Sequence, residues 1–348
     1  MKHNLCIVGY GGMGGWHANH AVKSDVVNLL GIYDIKKERS ELAEKNGIKA
    51  YSSFQEVLDD KNIEIVTIAT PNDIHKEQTI ACLAAGKHVI SEKPVTLSSD
   101  DLAEMIEAAE KYQRIFTVHQ NRRWDIDYLA MKKVYDSSLI GDIFNIESRI
   151  HGSRGIPSDW RGMKEYGGGM MFDWGVHLID QILQIYATEK IVSVYCEFDN
   201  ITNKEVDDGF KLTLRFDNNA RAYIEVGTYN FIPLPRFYIQ GTKGTGIITD
   251  WREPCHIVEC THWHESEVIP VETAAGLTKT MAPRDEITTR SYDLEKPASD
   301  VHDFYRNICD TLEGKAAQFV THKEMMRVME TMEAAFKSVE HKSVIYFD

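Results

Sequence analysis

A glycine-rich motif near the N-terminus constrains this chain more than any other feature. It is a G-x-G-x-x-G pattern, formed by Gly9, Tyr10, Gly11, Gly12, Met13 and Gly14. A short apolar run precedes the motif at 5–8, and a segment able to form a helix follows at 16–23. A strand, a tight glycine turn and a helix in this order let backbone N–H groups approach a pyrophosphate at the helix N-terminus. The motif alone is weak evidence, since glycine triplets also occur in ordinary turns.

The acidic residue Asp34 strengthens this interpretation. It stands 20 residues after Gly14, directly after the apolar segment 29–33, which predicts a second strand. An acidic side chain at this point of a dinucleotide-binding unit holds the ribose hydroxyls of the adenosine. The alternative is an ordinary surface turn residue. With the glycines in place, the sequence predicts a site for a nicotinamide dinucleotide.

Composition and charge exclude several classes of protein. A chain of 348 residues with 43% hydrophobic residues favours two domains with real cores. The net charge of −14 gives no support to nucleic-acid binding. The sequence has no apolar run long enough for a transmembrane helix and no signal peptide, so we expect a cytoplasmic protein. The six scattered cysteines suit reduced, packed thiols better than a disulfide framework.

Alternating strand and helix patterns predict the fold of the first 121 residues. Alternation of this kind is typical of a parallel sheet with helices on both faces, as in the Rossmann fold. The strand segments are nearly continuous apolar runs, which fits burial on both sides. The predicted strands are 4–8, 29–33, 64–69, 88–91 and 115–118, and the predicted helices are 16–23, 37–46, 53–59, 74–85 and 99–112.

The pattern changes after residue 121. Successive β-rich segments between 190 and 260 predict a large open antiparallel or mixed sheet. The stretch 265–297 has no clear periodicity and predicts a long loop that is functional or packs on a partner. The whole chain is therefore predicted as α/β, with a Rossmann domain at 1–121 and an α+β domain at 122–348. The second domain also has predicted helices at 125–138, 175–186, 297–313 and 321–340, and a strand at 142–151.

Two polar motifs follow predicted strands of the parallel sheet. In open α/β sheets, ligands bind beyond the carboxyl ends of the strands. A lysine at that edge can donate a hydrogen bond to a substrate hydroxyl or accept its proton. The plainer alternatives are a strand-to-helix turn and a solvated charge pair. The first motif is Thr70, Pro71 and Asn72 with His75; the second is Glu92, Lys93 and Pro94.

A third motif lies in the second half of the chain. Asp173 and His177 follow a run of three glycines at 167–169. In a helix the two side chains share one face, where a carboxylate can orient an imidazole for proton transfer. Such a pair is often structural, but the glycine run lets the backbone come close to a ligand or to the other domain.

A cluster of cysteine and histidine suggests a metal site as an alternative. Its spacing matches no known zinc pattern and contains no C-x-x-C, so we predict no metal site and expect a half-exposed strand instead. The residues are Cys255, His256, Cys260, His262 and His264.

Taken together, these motifs resemble the glucose–fructose oxidoreductase/inositol dehydrogenase (Gfo/Idh/MocA) family, and the resemblance runs essentially from end to end. The glycine motif is generic, whereas the combination of the other motifs with Asn121, Arg122 and Arg123 is specific. The resemblance implies an NAD(P)-dependent oxidoreductase. The reaction would transfer a hydride between the nicotinamide and a secondary hydroxyl or ketone of a sugar, glycoside or inositol-type polyol. It also implies a homodimer or homotetramer formed through the C-terminal sheet.

The resemblance also implies roles for individual residues. The catalytic residues would be Lys93, Asp173 and His177. Substrate would be bound by Lys93, Arg122, Trp160, Arg161, Asp173 and His177. The cofactor would be NAD, with NADP not excluded because Lys36, Lys37 and Arg39 follow Asp34 closely. Its contacts would come from Gly9, Gly11, Gly12, Met13, Gly14, Asp34, Thr70, Pro71, Asn72, His75, Glu92, Lys93 and Asn121.

Several alternatives stay open at the level of sequence. Either Lys93 or His177 could be the base, with Asp173 holding His177. The chain could be a redox-neutral glycosidase that uses bound NAD transiently, or a cofactor-binding regulator without catalysis. The physiological direction could be ketone reduction. Substrate specificity is expected in the loops 151–166 and 229–237, with Arg154, Trp160, Tyr229 and Phe231 as candidates.

Overall fold

The N-terminal half is built on a parallel sheet. The structure is a computed structural model that describes residues 2–262 and 268–347. Within the first of these ranges the sheet has five strands in the order β2-β1-β3-β4-β5. Their register is parallel throughout, and the central strands are fully buried. They are β1 (His3–Val8), β2 (Val27–Tyr33), β3 (Ile65–Ile68), β4 (His88–Ser91) and β5 (Phe116–Val118).

Five helices connect these strands, as the sequence predicts. Side-chain caps begin two of them: the hydroxyl of Ser53 accepts the N–H of Glu56, and that of Ser98 accepts the N–H of Asp101. The first helix starts inside the glycine motif, earlier than predicted. The helices are α1 (Gly12–Ala21), α2 (Lys37–Lys45), α3 (Phe54–Asp59), α4 (His75–Ala84) and α5 (Ser99–Tyr112).

The second half carries a large mixed sheet, which confirms the predicted fold class. Among the described residues it has nine strands, in the order β15-β12-β11-β10-β6-β9-β8-β7-β16. Only the pairing of β6 with β9 is parallel. The strands are β6 (Ile143–His151), β7 (Ile191–Asp199), β8 (Gly209–Phe216), β9 (Arg221–Gly227), β10 (Phe237–Gly241), β11 (Gly244–Ile248), β12 (His256–Cys260), β15 (Thr289–Asp293) and β16 (Ile345–Tyr346).

The prediction of a long loop at 265–297 is wrong for part of that stretch. Val271–Thr273 and Gly276–Thr278 form a hairpin of strands β13 and β14, and β15 is an edge strand of the mixed sheet. These strands are short and largely exposed, so they lack the apolar alternation that a sequence reading relies on. Backbone pairing with β12 defines β15. Residues 263–267 lie outside the described part of the chain.

In the described part of the second half, four further α-helices cover the inner face of the mixed sheet or return to the parallel sheet. They are α6 (Ile126–Asp136), α7 (Val176–Ile185), α8 (Asp303–Leu312) and α9 (His322–His341). Helix α7 is almost wholly buried, between β9 and α9. Helix α8 docks on the first half, where Arg306 pairs with Asp25. Gly314, at φ +70°, follows α8 in the left-handed conformation that often ends a helix. No helix in the described ranges combines the length and apolar character needed to cross a bilayer.

Candidate functional site

The glycine motif lies where β1 meets α1, and two of its glycines are required by close packing. Gly9 has φ +90°, and a Cβ there would stand 2.5 Å from the carbonyl oxygen of Ala69. A Cβ on Gly14 would stand 1.8 Å from the carbonyl oxygen of Gly9. No side chain fits at either position without displacing backbone. The motif therefore brings the N-terminus of α1 against the carboxyl ends of β1 and β3.

The residues around that helix N-terminus fit a dinucleotide. A Cβ built on Gly11 or Gly12 would meet no atom within 4 Å, so these positions face open space. No side chain caps α1, which leaves its first N–H groups and the positive end of the helix dipole available to an anion. Asp34 holds the loop: its carboxylate accepts the N–H of Tyr10 at 2.7 Å and that of Lys36 at 2.8 Å. The carboxylate therefore stands beside the glycine loop.

The turn after β3 buries His75, one of the residues that the resemblance assigned to cofactor contact. The His75 side chain is fully buried, and its two ring nitrogens face the carbonyl oxygens of Pro94 at 3.0 Å and Thr70 at 2.9 Å. It braces the turns after β3 and β4 and has no surface to offer a ligand. Asn72 is also buried, and its amide donates to the carbonyl of Gly167 at 3.1 Å, which joins the two halves of the chain.

Glu92 also has partners that differ from the prediction of cofactor contact. It is 4% exposed. Its Oε1 accepts from His17 Nε2 at 2.7 Å and from His119 Nδ1 at 2.9 Å, and its Oε2 accepts the backbone N–H of Lys93 at 3.1 Å. Tyr305 of α8 reaches the other ring nitrogen of His17. We call these four side chains, of His17, Glu92, His119 and Tyr305, the Glu92 cluster.

The electrostatics of the Glu92 cluster follow from its burial. Burial opposes ionisation of Glu92, but the imidazoles of His119 and His17 outweigh it and hold the pKa of Glu92 well below its ordinary value. Burial lowers the pKa of His17 to about 4, so its imidazole is neutral near pH 7.

The composition of the Glu92 cluster is also that of a metal site, with three ligand atoms within 4.8 Å of one another. The distances from Glu92 Oε1 to His17 Nε2 and to His119 Nδ1, 2.7 and 2.9 Å, are those of hydrogen bonds. Two ligands bound tetrahedrally to one zinc ion lie farther apart, at about 3.3 Å, given bonds of about 2.0–2.1 Å.

Lys93 points away from that cluster, toward the second half of the chain. Its Nζ donates to Asp173 Oδ1 at 3.0 Å and to the Asp173 carbonyl at 2.9 Å. Arg161 Nε donates to Asp173 Oδ2 at 3.3 Å. Burial opposes ionisation of Asp173, but Lys93 and Arg161 together hold its pKa below the ordinary value. We call Lys93, Asp173, Arg161 and the adjacent His177 the Lys93 cluster.

His177 lies in the first turn of α7 and differs from expectation in its partners. Asp173 and His177 do not form the predicted carboxylate–imidazole pair: the Asp173 oxygens face Lys93 and Arg161, and Nδ1 of His177 has no partner. The reason is local, because Met171–Gly175 is a π-helical turn rather than the α-helix assumed by the spacing. Burial, with the nearby charges of Lys93 and Arg122, holds the pKa of His177 well below its ordinary value.

Two neighbouring residues escape sequence reasoning. Trp251, in the turn after β11, lies 5.7 Å from the ring of Trp174 and 5.7 Å from the Arg122 guanidinium, which stacks on Trp174 at 4.1 Å. Asp207 accepts the N–H of Met171 at 2.7 Å. No motif marks Trp251. The only signal for Asp207 is its position before a β-rich segment.

Asp207 secures the segment that carries Asp173. Its carbonyl accepts the N–H of Met170 at 3.0 Å, and a Cβ on Gly169 would stand 2.2 Å from its Oδ1. Gly169, the last glycine of the run, therefore lets this carboxyl approach the backbone. Burial raises the pKa of Asp207 to about 7.

The predicted specificity loops lie side by side. Backbone bonds join Gly155 to Thr228 and Asn230 to Gly152. Arg161 stacks on Trp160 at 4.6 Å, and Tyr229 packs edge-on against the largely exposed Phe231. Arg154 is exposed in the same region.

The cysteine and histidine candidates lie apart from this site. His256 on β12 contacts Asp293 and Ser291 of β15, and Cys255 is buried. His264 lies outside the described residues. All six cysteines are free thiols.

Comparisons with known proteins agree with this geometry. The model of an oxidoreductase family with an NAD-binding Rossmann fold, Gfo/Idh/MocA, matches residues 3–120, and that of the Gfo/Idh/MocA C-terminal domain matches residues 128–247. The scyllo-inositol 2-dehydrogenase (NADP(+)) IolW of Bacillus subtilis is 28% identical over 347 residues, covering 98% of this chain and 95% of the relative. The myo-inositol 2-dehydrogenase of Thermotoga maritima is 28% identical over 226 residues, covering 63% of this chain and 66% of the relative.

A solved structure is more similar still. The crystal structure of an NAD-binding protein from Listeria innocua is 45% identical, with a TM-score of 0.96, and the alignment covers 99% of each chain.

Proposed function

Since the chain belongs to the Gfo/Idh/MocA family of NAD(P)-dependent oxidoreductases, we propose that it is a dehydrogenase acting on a secondary hydroxyl of an inositol-type polyol or a sugar. The observation that carries the proposal is the Lys93 cluster. An ammonium and an imidazole lie beside the carboxyl ends of the parallel strands, where the glycine loop and Asp34 would hold the cofactor.

We assign different roles to Lys93 and His177. Asp173 pairs with the ammonium of Lys93 through both its carboxylate and its carbonyl, so Lys93 donates a hydrogen bond to the substrate oxygen and stabilises negative charge on it. His177 is neutral, so its imidazole can take the hydroxyl proton, while its Nδ1 is buried without a partner in the protein. The nicotinamide, when bound, supplies the hydride acceptor.

Neighbouring residues would orient the substrate. The Arg122 guanidinium is held flat against Trp174 and paired with Asp125, and Arg161 is paired with Asp159 and Asp173. Because carboxylates balance these cations, we propose a neutral substrate. The ring faces of Trp174 and Trp251 suit the C–H faces of a polyol or sugar ring.

We propose NAD as the preferred cofactor. The carboxylate of Asp34 stands beside the glycine loop, and it would repel the phosphate that distinguishes NADP. The NADP(+)-dependent relative shows that the alternative occurs in a similar protein. Lys36 and Lys37 are exposed beyond Asp34 and would be the source of any affinity for NADP.

The test follows the absorbance of reduced nicotinamide with purified protein, excess NAD and a panel of inositols, aldoses and glycosides, repeated with NADP. We expect substrate-dependent reduction with at least one polyol, and far slower reduction in a Lys93→Met control that still binds NAD. If glycosides release their aglycone without net reduction, the chain is a redox-neutral glycosidase. If neither occurs although NAD binds, it is a regulator or works in the reducing direction, which the same panel of ketones with NADH decides.

We also propose that the chain pairs through the outer face of the mixed sheet, and we place it in the cytoplasm. Matched positions along the strands form one outward row: Tyr195, Thr213, Tyr223, Glu147, Tyr238 and Ile247. Tyr195 is exposed and the other three apolar members of the row, Tyr223, Tyr238 and Ile247, are half-buried, which is unusual for a solvated face. Light scattering should give a dimer or tetramer, and a Tyr223→Glu variant should give a monomer.

A further inference from the structure

We propose that Tyr305, His17 and His119 are positioning residues that hold Glu92, and that Glu92 in turn fixes the backbone of Lys93. The Glu92 cluster would then serve the reaction from inside the protein, without touching cofactor or substrate. This inference rests on the proposed function, in which the Lys93 ammonium meets the substrate oxygen.

The first step is the bond from Glu92 to Lys93. Glu92 Oε2 accepts the Lys93 N–H, while His75 faces the carbonyl of the next residue, Pro94. The backbone on both sides of the Lys93 side chain is thus held by buried side chains, 4% and 0% exposed. A catalytic group must be held within a fraction of an ångström to act well, which usually requires a second layer of packed hydrogen bonds.

The second step concerns which ring nitrogen of each histidine carries the proton. An ionised Glu92 only accepts hydrogen bonds, so both imidazoles must present an N–H to Oε1. For His17 this is Nε2–H, which leaves Nδ1 as the acceptor for the hydroxyl of Tyr305. The phenol therefore selects the tautomer that binds Glu92. Without it, His17 could place its proton on Nδ1 and turn a lone pair toward the carboxylate.

The third step is where these residues come from. His17 lies on α1 behind the glycine loop, His119 follows β5, and Tyr305 lies on α8 near the end of the chain. Side-chain exposure is 0% for both histidines and 6% for Glu92. The cluster therefore ties the cofactor helix, the lysine turn and a distant helix together, at a depth no ligand reaches.

The test compares Tyr305→Phe with Tyr51→Phe. Both tyrosines are buried in contact with the parallel sheet, and each donates one side-chain hydrogen bond, Tyr51 to Asp60 at 2.8 Å. The two variants should lose similar thermal stability. Tyr51 belongs to neither cluster, so it serves as the matched control.

The first readout needs no turnover. With isotope-labelled histidine, NMR should assign His17 as the Nε2–H tautomer in the wild-type protein and a mixture in Tyr305→Phe. The rate at which an amine-directed reagent modifies Lys93, mapped by mass spectrometry, should change in Tyr305→Phe and in Glu92→Gln, and not in Tyr51→Phe. If Lys93 is modified at the same rate in all four proteins, the inference is wrong.

The second readout uses the polyol found active. Tyr305→Phe should lower kcat about fivefold and raise the isotope effect of deuterated substrate, with the KM for NAD unchanged. Equal kcat in Tyr305→Phe and Tyr51→Phe would also overturn the inference. If no polyol is turned over, the proposed function fails, while the tautomer and labelling results still decide whether the cluster controls Lys93.

Discussion

The two polar clusters on either side of Lys93 are made of similar residues but differ in how far their side chains are exposed to solvent. In the Glu92 cluster the side chains of His17, Glu92 and His119 are 0–6% exposed. In the Lys93 cluster the side chains of Lys93, Asp173 and Arg161 are 15–31% exposed. Both contain a carboxylate with two cationic or imidazole partners.

The difference lies in what each cluster leaves available. Glu92 has its two oxygens occupied by three protein donors, and the side chains of His17, Glu92 and His119 are only 0–6% exposed. Each cluster has one buried imidazole nitrogen without a partner, Nε2 of His119 and Nδ1 of His177, but only the Lys93 cluster also has partly exposed charged groups. An unsatisfied buried nitrogen costs stability in either cluster, so the clusters are distinguished by the partial exposure of Lys93, Asp173 and Arg161. The buried Glu92 cluster is therefore suited to positioning neighbouring residues, and the partly exposed Lys93 cluster is suited to catalysis.

The largest effect on turnover should come from Lys93→Met, which removes the ammonium from the Lys93 cluster. We expect kcat to fall about 10³-fold, or about 4 kcal/mol, because a positioned donor to a developing oxyanion is lost. NAD should bind as before, by calorimetry. Weak NAD binding with normal turnover at saturation would contradict the role given to Lys93.

Replacing the base, as in His177→Asn, should lower kcat about 10²-fold, or about 3 kcal/mol. The pH profile sharpens this prediction. The pKa of His177 is lowered, so its neutral form persists below the ordinary histidine pKa of about 6.5. The wild-type kcat should therefore stay level as the pH falls through that value. A wild-type profile that halves at the ordinary value would show that His177 is not the base, or is not buried when it acts.

A smaller effect, on stability, is expected from Asp207→Asn. Asp207 has a folded pKa of about 7, above its unfolded value, so its stabilising contribution is complete below the unfolded pKa and is lost as the pH rises through the folded one. Asparagine can still accept the N–H of Met171 and does not ionise. Between about pH 5 and about pH 8 the wild-type free energy of unfolding should fall by about 2–3 kcal/mol more than that of the variant. Parallel curves in urea unfolding would contradict the raised pKa.

The sequence predicted more of the Lys93 cluster than of the Glu92 cluster. Lys93, Asp173 and His177 carry recognisable chemistry in recognisable motifs, and the structure brings them together. Glu92 and His75 stand in the same motifs but are buried, where they contact histidines and backbone carbonyls respectively. The sequence pattern specifies which residues stand at the sheet edge and not which way each side chain turns.

Long-range partners were out of reach for a different reason. Tyr305 lies 288 residues from His17, and Asp207 lies 36 residues from Met171. Neither belongs to a local pattern, since only the packing of α8 and β8 brings them near. The π-helical turn at 171–175 is equally hidden, because its sequence satisfies the ordinary i, i+4 spacing.

The smallest effect on turnover should come from Arg161→Gln, at the outer edge of the Lys93 cluster. Arg161 is 31% exposed and 3.3 Å from Asp173, so the pair is partly screened by water, and its loss should cost about 1 kcal/mol, or about fivefold in kcat. The wild-type activity should also fall as salt rises from about 0.1 to about 1 M, while the variant should respond less. The buried bonds of the Glu92 cluster should be insensitive to the same salt, since screening does not reach them. If instead Arg161→Gln costs as much as Lys93→Met, Arg161 contacts the reacting oxygen itself.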